Sequence, residues 1–227
     1  MELTLEQQSL LVEFKRAGIV LFGTAIRRKY GLNSPIYLDL RGNLYERPDL
    51  MWRVGSEFAG KICKLAENHE TQQVVIGVPD TATPLAVSTV LHSTQTRIGQ
   101  PLHYLLLRQK AKEYHSVSPS YVIGKKNCDN CEYTLIDDVM ASGLSKWKSI
   151  EKLKREGISV QRIIVFFDRQ QGGSELLQEE GYQVYSIFKL LDVIAFYLEK
   201  GLITPATHSR IHEFLRSHRF EKPLWRD

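Results

Sequence analysis

Short apolar runs alternate with amphipathic stretches along this chain. Residues 4–17 carry Leu5, Leu10, Leu11 and Phe14 among polar positions, the pattern of a short amphipathic helix. Residues 19–30 read as a strand that ends in the cations Arg27, Arg28 and Lys29. Gly31 to Pro35 is turn chemistry, and Ile36 to Leu40 is a second strand. Between 48 and 67, Leu50, Val54, Phe58, Ile62 and Leu65 recur at spacings of three and four, one buried stripe of a helix that starts at Arg47-Pro48-Asp49. Val74–Val78, Leu102–Leu107, Tyr133–Ile136, Val160–Phe167 and Gln183–Phe188 are compact strands. Helical patterns follow them: one to about Ser93, then 145–155, 174–181 and 190–198. This alternation predicts an α/β fold with a mostly parallel central sheet flanked by helices.

The pattern divides the chain into an N-terminal helix and hood strands (1–47), a core (48–203) and a basic helical tail (204–227). The tail holds Arg210, Arg216, Arg219, Lys222 and Arg226, with His208, His212 and His218 on the polar face expected of a helix at 207–217. No further ligand set accompanies these histidines, so a metal role is not assigned to them.

Composition narrows the classes. The 227 residues are 43% hydrophobic, enough for an ordinary core. No apolar run approaches the length of a membrane span, and Met1 leads into a polar, Glu-containing segment, so a soluble cytoplasmic protein is expected. The net charge of +4 suits a small anionic substrate, and no block of like charge points to nucleic acid. Of the cysteines, Cys63 falls on an apolar helical face; Cys128 and Cys131 frame a lone CxxC, read as an Asp-Asn turn with a redox or disulfide role as the alternative.

The chemistry concentrates in YTLIDDVMASGLS, residues 133–145. A strand delivers Asp137 and Asp138 to its carboxyl end, a small-residue loop follows, and a helix opens near Ser145. Such a unit gathers backbone N–H groups around one point and attracts phosphate. Carboxylates beside that point suit a ligand that also offers hydroxyls or brings Mg²⁺. A ribose carrying phosphates meets these conditions. Residues 108–124 are polar, carry three cations in their first five residues and lack an apolar period; a loop of that length in a compact domain is usually functional.

The 133–145 run resembles the phosphoribosyl-pyrophosphate (PRPP) motif of type I phosphoribosyltransferases. GLNSPIYLDLRG (31–42), GVPDTATPLA (77–86), RQKAKEY (108–114) and FDRQQGG (167–173) narrow the likeness to the orotate phosphoribosyltransferase family, over about residues 15–198. The resemblance implies transfer of a phosphoribosyl group from PRPP to orotate, in pyrimidine (UMP) biosynthesis. It implies Mg²⁺ held mainly through PRPP, and a homodimer in which loop 108–124 reaches the neighbouring subunit's site. By it, Asp137 and Asp138 hold the ribose hydroxyls, and Lys110 and Lys112 act on the leaving pyrophosphate, if one residue is deleted there. Val139, Met140, Ala141, Ser142, Gly143, Leu144 and Ser145 form the PRPP loop, with Ser142, Gly143 and Ser145 facing the 5′-phosphate. Asp80 and Thr81 approach the pyrophosphate; Lys29, Tyr37, Leu38 and Arg169 surround the base. The chain departs from the family pattern at Asp80, where a Tyr is usual, at Gln109, where an Arg is usual, and at Ala141, where a Thr is usual. Two other readings stand beside this one: a PRPP- or nucleotide-sensing homologue without catalysis, and a phosphoribosyltransferase for another base.

Overall fold

The sequence, in this computed structural model, folds in the order α1 (Leu5–Arg16), β1 (Val20–Arg27), β2 (Asn33–Leu38), α2 (Pro48–Leu65), β3 (Gln72–Gly77), α3 (Ala82–Gln95), β4 (His103–Tyr104), β5 (Leu106–Lys112), β6 (Ser120–Ile123), β7 (Cys131–Met140), α4 (Leu144–Arg155), β8 (Val160–Asp168), α5 (Gly173–Glu179), β9 (Gln183–Lys189), α6 (Leu190–Glu199) and α7 (Pro205–Ser217). The structure describes residues 3–27, 33–66, 70–95, 101–112, 120–126 and 130–226. Lys29 and Cys128 lie outside them.

A five-stranded sheet of order β4-β3-β7-β8-β9 pairs in parallel throughout. Its central strands β3, β7 and β8 are buried along most of their length because helices cover both faces. On β8, Ile164 and Phe166 enter one hydrophobic cluster while Ile163 and Val165 enter the other, the two-residue alternation of a strand between two layers. In the first cluster Phe166 lies 5.7 Å from Phe14, 5.6 Å from Phe58 and 5.3 Å from Phe188. Each such fully buried ring stabilises the fold by about 1.5–3 kcal/mol. That cluster also takes in Leu10, Leu11 and Phe14 of α1 and Ile211 and Leu215 of α7, so the segments outside 48–203 share one core with the sheet. The half-buried Cys63 on α2 has its thiol pushed up by burial.

From β3 the chain runs outward to β4, and from β7 outward to β8 and β9. The order therefore reverses between β3 and β7, and ligands of open α/β sheets bind beyond the carboxyl ends at such a point. β1 and β2 pair antiparallel, with Leu21 opposite Tyr37 and Phe22 opposite Ile36, in the segment read as the hood.

One expectation is corrected. The apolar run at 102–107 is not one strand followed by a loop. It breaks into β4, which joins the sheet, and β5, which continues through Lys112 and pairs antiparallel with β6. Arg108 to Lys112 lacks an apolar period because this arm stands largely in solvent, and its order comes from backbone pairing rather than a buried face. Residues 113–119 lie outside the described residues. No helix among the described residues is long and apolar enough to cross a membrane.

Candidate active site

β7 carries the acids further inside than the sequence suggests. The strand continues past them to Met140, because β8 pairs with it as far as Met140 opposite Asp168. Asp137 and Asp138 are consequently only 4% and 8% exposed. Adjacent strand residues face opposite ways. Asp137 turns to α4, where its Oδ2 lies 2.6 Å from Lys146 Nζ and accepts from Ser145 Oγ at 3.4 Å. Asp138 turns to the hood, with its Oδ2 3.9 Å from Arg41 Nε. Each also accepts a backbone N–H: Asp138 N–H donates to Asp137 Oδ1 at 2.9 Å, and Val139 N–H to Asp138 Oδ1 at 2.7 Å.

Burial, and next the charge of Asp137, push the Asp138 carboxyl up to about 7; Lys146 and Arg41 pull the other way. Lys146 is itself buried and also donates to the Val139 carbonyl. Removing one partner of such a pair strands a buried charge, at a cost of about 3–5 kcal/mol.

After β7, residues 141–143 bend into α4. Gly143 takes a left-handed φ of 81°, and a side chain there would press on Leu177 and the Gly173 carbonyl. It caps α4 without a side-chain bond of its own; the Leu144 N–H donates to Ser142 Oγ at 3.5 Å, and the Ser145 and Lys146 N–H groups of the same turn face the place an anion would take. Ser142 and Ser145 flank them.

Three further walls meet this loop. After β3, Pro79 and Thr81 approach, and Tyr45 Oη donates to the Thr81 carbonyl at 2.9 Å. From the hood come Tyr37, Leu38 and Arg41; the turn that presents Arg41 is held by Asp39, which accepts from Gly42 N–H at 2.9 Å. After β8, Asp168 organises its own loop, accepting from Gln170 N–H at 2.7 Å and Ser174 Oγ at 2.8 Å. Burial raises the Asp168 carboxyl despite these donors. Arg169, 1% exposed, hangs from the Met140 carbonyl by its N–H at 3.0 Å and donates from Nε to Gln171 Oε1 at 2.7 Å.

These elements enclose a cleft of about 660 Å³. Of the residues singled out from sequence, it gathers Tyr37, Leu38, Thr81, Asp137, Asp138, Val139, Ala141, Ser142, Ser145 and Arg169. Others fall elsewhere. The Met140 side chain is wholly buried in the second hydrophobic cluster, and its carbonyl serves Arg169. Gly143 and Leu144 shape the loop from behind the lining residues. Asp80 lies beside the cleft and accepts from Gln109. Lys110 and Lys112 are exposed on β5 and do not line this cleft. Among the described residues there is no group of three or more His, Cys, Asp or Glu that could hold a metal ion.

Sequence reasoning missed Arg41, Lys146, Gln171 and the cleft residues Phe214, His218, Arg219 and Phe220. Lys146 left a signal, since it shares its helical phase with the buried Ser149, Ile150 and Leu153. Arg41 lies inside the SPIYLDLRG run. The tail residues left none, because their contacts are made across the fold.

No family model matches the chain. Bovine uridine 5′-monophosphate synthase is 34% identical over 194 residues; they are 85% of this chain, which spans only 37% of that protein. Orotate phosphoribosyltransferase of Pyrobaculum islandicum is 30% identical over 195 residues, covering 84% of this chain and 92% of that one. The solved orotate phosphoribosyltransferase of Francisella tularensis superposes with a TM-score of 0.71 at 16% identity, over 96% of this chain and 100% of that one, a likeness of fold.

Proposed function

The chain belongs to the orotate phosphoribosyltransferase family, and from that premise we propose that it joins orotate to the phosphoribosyl group of PRPP, yielding orotidine 5′-monophosphate and pyrophosphate for UMP biosynthesis in the cytoplasm. One observation carries the reading to the residues: the buried acid pair, the open start of α4 and the Arg169 and Tyr37 walls share one cleft. That cleft suits a phosphorylated ribose at one end and a planar anionic base at the other.

The anomeric carbon loses pyrophosphate and gains a base nitrogen through a transition state of oxocarbenium character. The chain need not supply a nucleophile; it orients the reactants and offsets developing charge. Asp137 and Asp138 would hold the ribose hydroxyls, and the growing positive charge on the ring would favour their ionised form. Ser142, Ser145 and the α4 N–H groups would take the 5′-phosphate. Arg169 offers a planar fork to a carboxylate or carbonyl. Thr81, with the neighbouring Asp80, would border the pyrophosphate.

The donor set fits Mg²⁺ of a particular kind. Two carboxylates at the cleft make no cage by themselves, but they suit an ion that arrives on PRPP oxygens. When bound, Mg²⁺ supplies neutralisation of the pyrophosphate charge.

A homodimer is part of the proposal. Lys110 and Lys112 stand exposed on a hairpin arm, away from their own cleft, as residues serving a partner would.

Incubation of the purified protein with PRPP, Mg²⁺ and orotate should release pyrophosphate and consume orotate absorbance in equal amounts. PRPP binding with no turnover would support a sensor instead, and turnover only with another base would reassign the substrate.

A further inference from the structure

Residues 218–226 leave α7 and run back along the cleft. The Gln171 side-chain amide donates to the His218 carbonyl at 2.8 Å, and Phe220 N–H donates to the Gln171 carbonyl at 2.7 Å. Arg219 binds Glu175 of α5 at 2.9 Å. At the far end Trp225 stacks on Trp147 of α4, centroids 5.1 Å apart and planes 9° from parallel, and donates its indole N–H to Glu180 at 3.2 Å. The approach is close. A Cβ on Gly172, whose φ is 101°, would fall 2.3 Å from the Phe220 carbonyl oxygen, so a glycine is needed for this segment to lie where it does.

The bonds form a relay. A side-chain amide has one accepting end and one donating end. The His218 carbonyl takes the donating end of Gln171, which leaves Oε1 for Arg169 Nε at 2.7 Å. With the amide fixed, the guanidinium is fixed. Phe214, His218 and Phe220 line the same cleft as Tyr37 and Leu38.

We propose that residues 218–220 form a strap that determines base recognition: through Gln171 it sets the Arg169 fork, and the Phe220 ring supplies an apolar wall for a planar anionic pyrimidine. This rests on the proposed function. Gln171 and the strap are positioning elements that bond to Arg169, Gln170 and Glu175 and not to the acids or the first turn of α4, so their loss should fall on the base and spare PRPP.

The test uses Phe220→Ala, Phe220→Leu and Gln171→Met in the full chain. Steady-state KM values for orotate and for PRPP are measured, with calorimetric binding of orotidine 5′-monophosphate and the thermal midpoint of each protein. Phe220→Ala and Gln171→Met should each raise the orotate KM about tenfold with the PRPP KM within about twofold, and Phe220→Leu should recover most of the loss. Nucleotide binding should weaken in the same order. Folded variants with the parental orotate KM, or both KM values rising together with a fallen midpoint, would overturn the strap alone. A parent that neither consumes orotate nor binds the nucleotide would overturn the proposed function and the strap with it.

Discussion

Gln109 on β5 and Asp80 after β3 meet in space: Gln109 Nε2 lies 3.4 Å from Asp80 Oδ2 and 3.2 Å from the Pro79 carbonyl. Both are positions at which the chain departs from its family's pattern, so these departures are neighbours. The carboxylate that would oppose pyrophosphate already accepts from the amide that stands in place of a guanidinium. Lys152 adds a third member, donating from Nζ to the Gln109 carbonyl at 2.7 Å.

Reverting Gln109 alone should therefore gain little. Gln109→Arg in the parent gives Asp80 an ion-pair partner, which withholds the new cation from pyrophosphate. In an Asp80→Ala background the same change should raise kcat/KM for PRPP further, with a coupling of about 0.5 kcal/mol or more. The four proteins of the cycle are compared at one ionic strength. Strictly additive effects would show that the two residues do not interact during catalysis.

The acid pair predicts two pH dependences. kcat/KM reports the free enzyme. It should fall on the acid side with an apparent pKa near the value of about 7 to which Asp138 is pushed. The groups facing Asp138 are Asp137, Lys146, Arg41 and Tyr45. Lys146→Met removes a cation that holds the Asp138 value down, so the limb should move to higher pH, and Lys146→Arg should return it. A limb unmoved by Lys146→Met would separate Lys146 from the titration.

Stability follows the sign of the same shift. The folded carboxyl keeps its proton to about 7 against an ordinary 3.8. Its contribution is therefore fully present below the unfolded value and is lost as pH rises through the folded one. Asp138→Asn cannot ionise, so in ligand-free protein it should raise the melting temperature at about pH 8.5 and change it far less at about pH 5. Turnover should collapse at both. Equal shifts in melting temperature at the two pH values would mean that Asp138 is already ionised at the lower one.

Metal removal should distinguish a resident ion from one carried by substrate. Chelation should abolish turnover and leave the melting temperature unchanged, and calorimetry should detect Mg²⁺ only when PRPP is present. Tight Mg²⁺ binding to the protein alone would contradict this.

The proposed dimer with shared sites predicts complementation. Lys110→Ala and Asp138→Asn, each inactive as a pure protein, should recover about a quarter of parental activity when mixed at equal amounts, since half the dimers are mixed and each holds one intact site. Verified subunit exchange without recovery would return the hairpin to its own subunit.

What could be read beforehand followed the period of the chain. The helices at 5–16 and 48–65 declared themselves because each buries one face, which writes a repeat near 3.6, and β3, β7, β8 and β9 did so as compact runs rich in apolar residues. The β5–β6 hairpin did not, because its outer half buries no face. Asp137, Asp138, Ser142 and Ser145 stood out as residue types in the strand–loop–helix run and Arg169 through the family resemblance, and all five line one cleft. Lys146 hid among the other cations of α4, distinguished only by its helical phase. The contact of Gln171 with His218 spans 47 positions, and no local pattern marks which carbonyl an amide will find at that distance.

The bond from Tyr197 Oη to the Leu11 carbonyl, 2.6 Å long and buried, joins positions 186 apart. Around it α1 packs into the same cluster as α6 and α7. A nascent chain leaving the ribosome thus has only β1 and α2 to cover Leu10, Leu11 and Phe14 long before α6 and α7 are synthesised. Contacts of such sequence separation form slowly, and surfaces left waiting for them are prone to aggregate. The first helix should need shielding by a chaperone until α6 and α7 emerge, and α1 should be among the last elements to gain protection in a pulse-labelled hydrogen-exchange experiment on refolding protein.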